Sequence, residues 1–235
     1  MNSPRVPLES NPPCGMDIVV RQDGTRHQGC DESSGWVWYA ARVLEEVIVG
    51  KVDVDLRGQR ILELGSGTGW LALRLAQRGA LVTATDRPGA CKLLLQNVYR
   101  NQERWAEHLD ASGRQPALRP ATPDFAEDLN VDVFPLSWEE REQRIPGEWD
   151  LIVASDVVYL TETYEAFLDT CLRHGPCKGV LITWEERKPR EEEEFIRLAA
   201  MAGFHFERPT VIARNPVTGS PIYLLQMVFP TSNIG

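Results

Sequence analysis

The sequence has no apolar run long enough to cross a membrane. Stretches such as residues 151–154 and 180–184 are far shorter than the about 20 residues that a transmembrane helix needs. Residues 1–13 are rich in proline and lack the apolar segment of a secretory signal,. We therefore expect no membrane association, a flexible N-terminal arm over residues 1–16, and one folded domain over residues 17–235.

Cysteine and histidine are few, and neither shows catalytic or metal-binding spacing. The five cysteines and four histidines lie scattered along the chain, without the paired spacing of a zinc site. An odd number of cysteines without a secretory signal indicates reduced thiols in the cytosol or nucleus, and we expect the cytoplasm. The sequence therefore predicts no metal site and no histidine-based triad.

Positive charge is outnumbered by negative charge. Lysine and arginine total 25 against 34 aspartates and glutamates, which gives a net charge of -9. Such a surface repels nucleic-acid phosphates unless it has a local basic patch, and the sequence contains no such patch. We expect no direct nucleic-acid binding, and the charge suits a basic protein partner better. Hydrophobic residues make up 43% of the chain, enough for a buried core.

What the sequence does contain is an alternation of strand and helix patterns. From residue 60 onward, short apolar runs alternate with amphipathic helical patterns, which indicates a parallel α/β sheet. The predicted strands lie at residues 60–64, 81–85, 131–136, 149–154 and 179–184. The predicted helices lie at residues 35–49, 69–78, 88–101, 163–172 and 191–202. We expect one or two short strands before the first of these helices.

Two other segments depart from this alternation. Residues 204–213 and 222–229 are strand-like runs joined by the turn-rich residues 215–220, which predicts an antiparallel hairpin. The hairpin would complete a sheet of seven strands. Residues 103–128 are polar and contain three prolines, so we expect a loop insertion there, unusually long for a compact domain.

A glycine-rich turn joins the first strand to the helix that follows it. Gly65, Gly67 and Gly69 lie there, where glycine allows positive φ and a close approach of the backbone to a ligand. The third glycine of a dinucleotide site is replaced by Trp70, and the lysine of a phosphate-binding loop is missing,. Glu63 would repel a pyrophosphate and suits a ligand with a cationic end.

Acidic residues follow two further strands. Asp86 ends the second strand, 21 residues after Gly65, where a carboxylate can accept hydrogen bonds from ribose hydroxyls. Ser155, Asp156 and Tyr159 follow the buried fourth strand. Because ligands of open α/β sheets bind at the carboxyl ends of strands, we expect these residues to face the glycine turn. The alternative is a helix N-cap aspartate and a packing tyrosine.

Five short motifs follow one another along the chain. They are Val37-Trp38-Tyr39-Ala40-Ala41, Glu63-Leu64-Gly65-Ser66-Gly67-Thr68-Gly69, Thr85-Asp86, Leu136-Ser137-Trp138 and Asp156-Val157-Val158-Tyr159. Their order resembles methyltransferase family 16, the seven-β-strand protein-lysine methyltransferases, over roughly residues 17–229. The resemblance implies an α/β, Rossmann-like sheet of seven strands, mostly parallel with a C-terminal antiparallel hairpin, and S-adenosylmethionine as cofactor.

The resemblance also assigns roles to individual residues. Asp86 would hold the ribose of the cofactor, Trp138 would flank its adenine, and Ser155 would lie beneath the sulfonium. The full predicted cofactor-binding set is Trp38, Glu63, Gly65, Ser66, Gly67, Gly69, Asp86, Trp138 and Ser155. We further expect Asp156 and Tyr159 to be catalytic residues that orient the lysine amine, with water accepting its proton.

The substrate expected from the resemblance is another protein. Residues 32–41 resemble fungal members that act on elongation factor 1-alpha, whereas residues 21–25 and 185–187 resemble members that act on the valosin-containing AAA ATPase. Elongation factor 1-alpha is therefore the first candidate, an AAA ATPase or chaperone the next, and we expect a monomer. The sequence leaves open a non-lysine acceptor, or a non-catalytic binding subunit with this fold.

Overall fold

The structure, a computed structural model, covers most of the chain. It describes residues 16–22, 35–50, 56–111 and 128–230. The arm predicted over residues 1–16 lies outside these ranges except for its last residue. Met16 is buried in the core, with 6% of its surface exposed, so the arm does not extend to this residue.

A mixed sheet of eight strands forms the centre of the described chain. The strands are β1 (Arg60–Leu64), β2 (Leu81–Asp86), β3 (Val131–Pro135), β4 (Leu151–Ser155), β5 (Val180–Glu185), β6 (His205–Phe206), β7 (Thr210–Arg214) and β8 (Pro221–Val228). Their order is β3-β2-β1-β4-β5-β8-β6, with β7 also paired to β8. The first five strands run parallel, and β8 is antiparallel to its neighbours, which confirms the predicted α/β architecture.

Five α-helices cover the two faces of the sheet. They are α1 (Tyr39–Gly50), α2 (Trp70–Gln77), α3 (Pro88–Ala111), α4 (Tyr164–His174) and α5 (Pro189–Met201). The first three pack on one face and the last two on the other. Successive strand residues point to opposite faces, so Ile61 joins one core and Leu62 the other. None of the described helices has both the length and the apolar character that crossing a membrane requires.

Helix α3 is longer than predicted. It continues to Ala111, so the loop expected over residues 103–128 is wrong for its first part, while residues 112–127 lie outside the described ranges. Trp105 is 2% exposed and packs in the same core as Leu94. These two residues are eleven positions apart, about three helical turns, so the apolar stripe of the helix continues across a segment of polar composition.

The predicted hairpin is present, but its first strand is interrupted. Strands β6 and β7 both pair with β8 and are separated by residues 207–209. Pro209 has no N–H to donate to a strand ladder. Counted as one interrupted strand, β6 and β7 account for the difference between seven predicted strands and eight observed ones.

The extended segment before α1 pairs with asparagine side chains of α3. Asn101 accepts a hydrogen bond from the Val19 N–H (3.0 Å) and donates one to the Val19 carbonyl (2.8 Å). Asn97 pairs with both backbone groups of Arg21 in the same way and also donates to the Thr68 carbonyl (3.0 Å). Residues 16–22 therefore form no strand, whereas residues 23–34, the rest of the region in which strands were predicted, lie outside the described ranges. The side-chain amides fix the extended segment beside the turn after β1.

Candidate active site

A cavity lies at the carboxyl ends of the parallel strands, with an empty volume of about 1100 Å³ that is partly open to solvent. All the predicted site residues except Gly69 line it. They are Trp38, Glu63, Gly65, Ser66, Gly67, Asp86, Trp138, Ser155, Asp156 and Tyr159. The structure thus brings together residues from the glycine turn, from the ends of β2 and β4, and from the start of α1.

The glycine turn lies between the cavity and helix α3. Gly65 has a φ of 76°, and a Cβ there would lie 3.0 Å from Val157 and 3.4 Å from Trp138. Gly69 has a φ of 80°, and its Cβ would lie 2.5 Å from the Leu94 side chain of α3. Gly69 therefore permits close packing of the turn on α3, and its contact with the cofactor stays a prediction.

Asp86 connects the end of β2 to the glycine turn. One carboxylate oxygen accepts a hydrogen bond from the Gly67 N–H (2.7 Å), and the other accepts one from the Arg87 N–H (2.7 Å). The Ser66 hydroxyl accepts a further hydrogen bond from the Thr85 N–H (3.1 Å). A carboxylate oxygen can accept more than one hydrogen bond, so a carboxylate in this position suits the hydroxyls of a sugar in the cavity.

Glu63 is a buried carboxyl group in the wall of the cavity. Only 1% of its surface is exposed, and its Oε2 accepts no hydrogen bond from the described residues. Burial raises the pKa of Glu63 to about 7, with a smaller contribution from the charge of Asp86 and an opposing one from a hydrogen bond with Ser66. A cationic group beside Glu63 would favour its ionised form.

Both carboxylate oxygens of Asp156 accept hydrogen bonds. Arg187 donates two hydrogen bonds to it, each of 2.7 Å, and the Glu185 N–H donates a third (3.2 Å). The residue is 7% exposed, and its φ of 58° is a left-handed conformation that aspartate and asparagine adopt more readily than other side chains with a Cβ. The carboxylate therefore belongs to a buried ion pair and does not cap a helix.

Arg187 also contacts the tryptophan at the start of α1. Its guanidinium carbon lies 5.1 Å from the centre of the Trp38 ring, within the range of a cation–π interaction. Burial alone would lower the pKa of Arg187, but the hydrogen bonds and charge of Asp156 raise it above its ordinary value. One charged side chain thus joins the end of β4 to the tryptophan just before α1.

Several wall residues, Arg187 above all, were not predicted from the sequence. The further lining residues are Trp36, Val37, Ala41, Thr68, Trp70, Leu71, Arg87, Leu136, Glu139, Val157, Leu160, Thr163 and Arg187. Arg187 follows β5 by two residues. The rule that places ligands at the carboxyl ends of strands, which identified Asp86 and Asp156, could therefore have identified it.

Known protein families include one that matches most of this chain. Residues 21–114 and 121–201 match a family described as lysine methyltransferase. The chain is 30% identical over 196 residues to EEF1A lysine methyltransferase 3 of Mus musculus, covering 83% of this chain and 72% of that protein. It is 39% identical over 135 residues to protein N-lysine methyltransferase METTL21A of Danio rerio, covering 57% of this chain and 52% of that protein.

Solved structures share the fold at low sequence identity. The methyltransferase domain of bacterial CtHen1 has a TM-score of 0.53 at 16% identity, covering 80% of this chain and 98% of that domain. A TehB-like SAM-dependent methyltransferase from Corynebacterium glutamicum has a TM-score of 0.50 at 18% identity, and the match covers 83% of this chain and 90% of that chain. The Rossmann-like methyltransferase fold predicted from the sequence is therefore confirmed.

Proposed function

The chain belongs to the lysine methyltransferase family, and from this membership we propose that it methylates a lysine of elongation factor 1-alpha. The family model covers residues 21–114 and 121–201, and one relative is named for methylation of EEF1A lysine. The observation that carries the proposal is a single cavity lined both by the glycine turn with Asp86 and by the Asp156–Arg187 ion pair. The first suits a nucleoside cofactor and the second an acceptor amine.

S-adenosylmethionine is the methyl donor, and the cavity residues fit its parts. We assign the ribose hydroxyls to Asp86, the adenine to the face of Trp138, and the methionine ammonium to Glu63, whose buried Oε2 accepts no hydrogen bond within the described chain. A Cβ on Gly65 would lie 3.0 Å from Val157, so this position of the turn favours glycine. When bound, the cofactor supplies a methyl group on a positively charged sulfur. Ser155 would lie beneath this sulfur.

The remaining residues of the cavity suit the acceptor amine. Methyl transfer is an in-line displacement, so positioning of the amine supplies most of the rate. We propose that Tyr159 and Asp156 orient the amine, and that the Trp38 ring forms an apolar wall beside it. Arg187 and the Glu185 N–H together use both lone pairs of the Asp156 Oδ1, and Arg187 uses one on Oδ2, so one lone pair of Oδ2 remains for the substrate.

The choice of elongation factor 1-alpha rests on the named relatives. EEF1A lysine methyltransferase 3 of Xenopus tropicalis is also similar, at 27% identity over 187 residues. A net charge of -9 suits association with a basic protein surface. An AAA ATPase or chaperone lysine is the next candidate. We propose that the protein acts as a monomer in the cytoplasm, where this substrate would be met.

The substrate can be identified by labelling in lysate. Lysate from cells that lack this protein is incubated with tritiated S-adenosylmethionine and the purified protein, and labelled proteins are located by mass spectrometry. We expect label on a lysine of elongation factor 1-alpha that is absent with the Asp156→Ala variant. Label confined to another protein would contradict the substrate assignment, and label on a residue other than lysine would contradict the proposed chemistry.

The affinity for S-adenosylmethionine is expected to rise about tenfold between pH 6 and pH 8. Glu63 has a pKa of about 7, and binding of the cofactor ammonium requires its ionised form, so protonation at lower pH competes with binding. Binding at pH 7 should therefore release close to half a proton per site. Calorimetry in two buffers with different ionisation enthalpies measures this release directly.

Glu63→Gln is the matched control, because it keeps the size of the side chain and removes its titration. Its affinity for S-adenosylmethionine should be lower than that of the unchanged protein at pH 8 and should vary little with pH. Equal pH dependence in the two proteins would assign the titration to another group and exclude Glu63 as the partner of the ammonium.

A further inference from the structure

The Asp156–Arg187 pair has a geometry that fixes both charges. The two hydrogen bonds of 2.7 Å use both carboxylate oxygens and both terminal nitrogens of the guanidinium. The carboxylate side chain is 3% exposed and the guanidinium side chain 34%. Such a bidentate pair is both stronger and more directional than a single charged contact, so a substrate entering this cavity meets a neutralised carboxylate.

Other charged groups surround the pair. The carboxylate of Glu185 lies 3.7 Å from Arg187 and accepts hydrogen bonds from Asn215 and Thr218. Glu192 of α5 accepts a hydrogen bond from the Arg187 backbone N–H (2.8 Å). The other titratable side chains that line the cavity are Glu63, Asp86, Arg87, Glu139 and Tyr159. Replacing Arg187 also removes the cation that lies 3.7 Å from Glu185. The substitution of Asp156, which leaves both Arg187 and Glu185 in place, is therefore needed beside it to report on the pair.

A lysine acceptor makes the charge of Asp156 important. The lysine nitrogen gives its proton to water, then forms a bond to the methyl carbon as the sulfur–methyl bond breaks, which leaves a methylated ammonium and S-adenosylhomocysteine. An unpaired carboxylate close to the amine would stabilise the ammonium form and raise its pKa. The step before methyl transfer would then be suppressed near neutral pH.

We propose that Arg187 is a positioning residue of the acceptor site, which neutralises Asp156 so that the incoming lysine loses its proton before it attacks. The inference rests on the proposed lysine methyltransferase function. Arg187 acts through Asp156 and also holds the Trp38 ring through its guanidinium. The carboxylate can then accept a hydrogen bond from the amine without contributing a full negative charge.

The test is the pH dependence of kcat with elongation factor 1-alpha as substrate. In Arg187→Gln, the apparent pKa of the rate is expected to rise by about one unit, because an opposite charge nearby favours the ammonium. Arg187→Lys keeps the positive charge, so the apparent pKa of kcat should be unchanged in this variant even if kcat itself falls. Asp156→Asn removes the closest anion of Arg187, leaving the Glu185 carboxylate at 3.7 Å, and should move the profile in the opposite direction.

Two further measurements separate this role from a structural one. The double variant Asp156→Asn with Arg187→Gln removes both charges and should return the profile to its original position. In the presence of S-adenosylhomocysteine at pH 7, Arg187→Gln should bind unmodified elongation factor 1-alpha several-fold more tightly, because the protonated lysine gains a free carboxylate. A merely structural role would lower the rate equally at every pH and would not strengthen binding.

The outcomes distinguish this inference from the function on which it rests. If the unchanged protein methylates no lysine of elongation factor 1-alpha, the proposed function is wrong as stated. If it does, and the active Arg187→Gln and Asp156→Asn variants keep the original profile, the inference alone is overturned. Should Arg187→Gln fail to fold, the opposite shift expected of Asp156→Asn still decides it.

Discussion

Replacing Asp86 by alanine is expected to weaken binding of S-adenosylmethionine by about 100-fold or more. The change removes a carboxylate that would accept hydrogen bonds from two ribose hydroxyls, and each hydrogen bond to a charged group contributes about 1.5–3 kcal/mol. It also removes the acceptor of the Gly67 N–H, which loosens the glycine turn itself. Isothermal titration calorimetry with the purified variant measures the loss.

Two control variants separate loss of the ribose contact from general destabilisation. Asp86→Asn keeps one acceptor oxygen and should lose less affinity than Asp86→Ala. Asp132→Ala changes an exposed residue of the neighbouring strand β3 and should bind the cofactor as the unchanged protein does. If a folded Asp86→Ala variant kept its affinity, the cofactor would not lie along the end of β2.

Replacing Asp156 by alanine is expected to lower kcat by about 100-fold while cofactor affinity stays nearly unchanged. The variant loses the group that orients the amine, and misplacement of a reacting group by 1 Å can cost about this much. It also leaves the guanidinium of Arg187 without its two hydrogen bonds and free to leave the Trp38 ring. Single-turnover kinetics with labelled cofactor measure the chemical step directly.

Asp156→Asn is the matched control because it removes the charge and keeps a residue that tolerates the left-handed backbone conformation. Asparagine, like aspartate, adopts the left-handed conformation readily, whereas alanine at a φ of 58° adds about 1 kcal/mol of strain. The asparagine variant should therefore retain more activity than the alanine variant. Full turnover by Asp156→Ala, with cofactor binding intact, would exclude this residue from the acceptor site.

The sequence predicted the sheet because its central strands β1, β4 and β5 are buried on both faces. Residues such as Ile61 and Leu62 contact different cores, so both must be apolar and the strand appears as one continuous apolar run. The glycine turn and Asp86 could be predicted for a related reason. A parallel sheet brings the carboxyl ends of its strands to one edge, so residues distant in sequence meet there.

Other features depend on contacts that local patterns do not contain. The last turns of α3 are polar in composition, and the apolar stripe continues there through Trp105, which is buried in the same core as Leu94 three turns earlier. Asparagines such as Asn97 and Asn101 are common on exposed helix faces. Here, however, their side chains pair with backbone groups 76 and 82 residues away. Hydrogen bonds at such separations follow from tertiary packing and leave no periodic signal.

The cavity was predicted more completely around the glycine turn and Asp86 than around Asp156 and Arg187. Spacing alone could not show that Gly69 packs against Leu94, nor that Asp156 is paired with Arg187. A motif gives the residues that follow one strand, whereas this ion pair joins residues that follow two different strands. The pairing of these two charges therefore becomes visible only in the folded chain.

Calorimetric titration of the purified, unchanged protein with S-adenosylmethionine and with S-adenosylhomocysteine tests the central claim most directly. The cavity formed by the glycine turn, Asp86 and Glu63 predicts that both compounds bind at one site per chain. Both should bind more weakly at pH 6 than at pH 8. Absence of binding by a folded protein would contradict the assignment of this cavity, and with it the proposed methyl transfer.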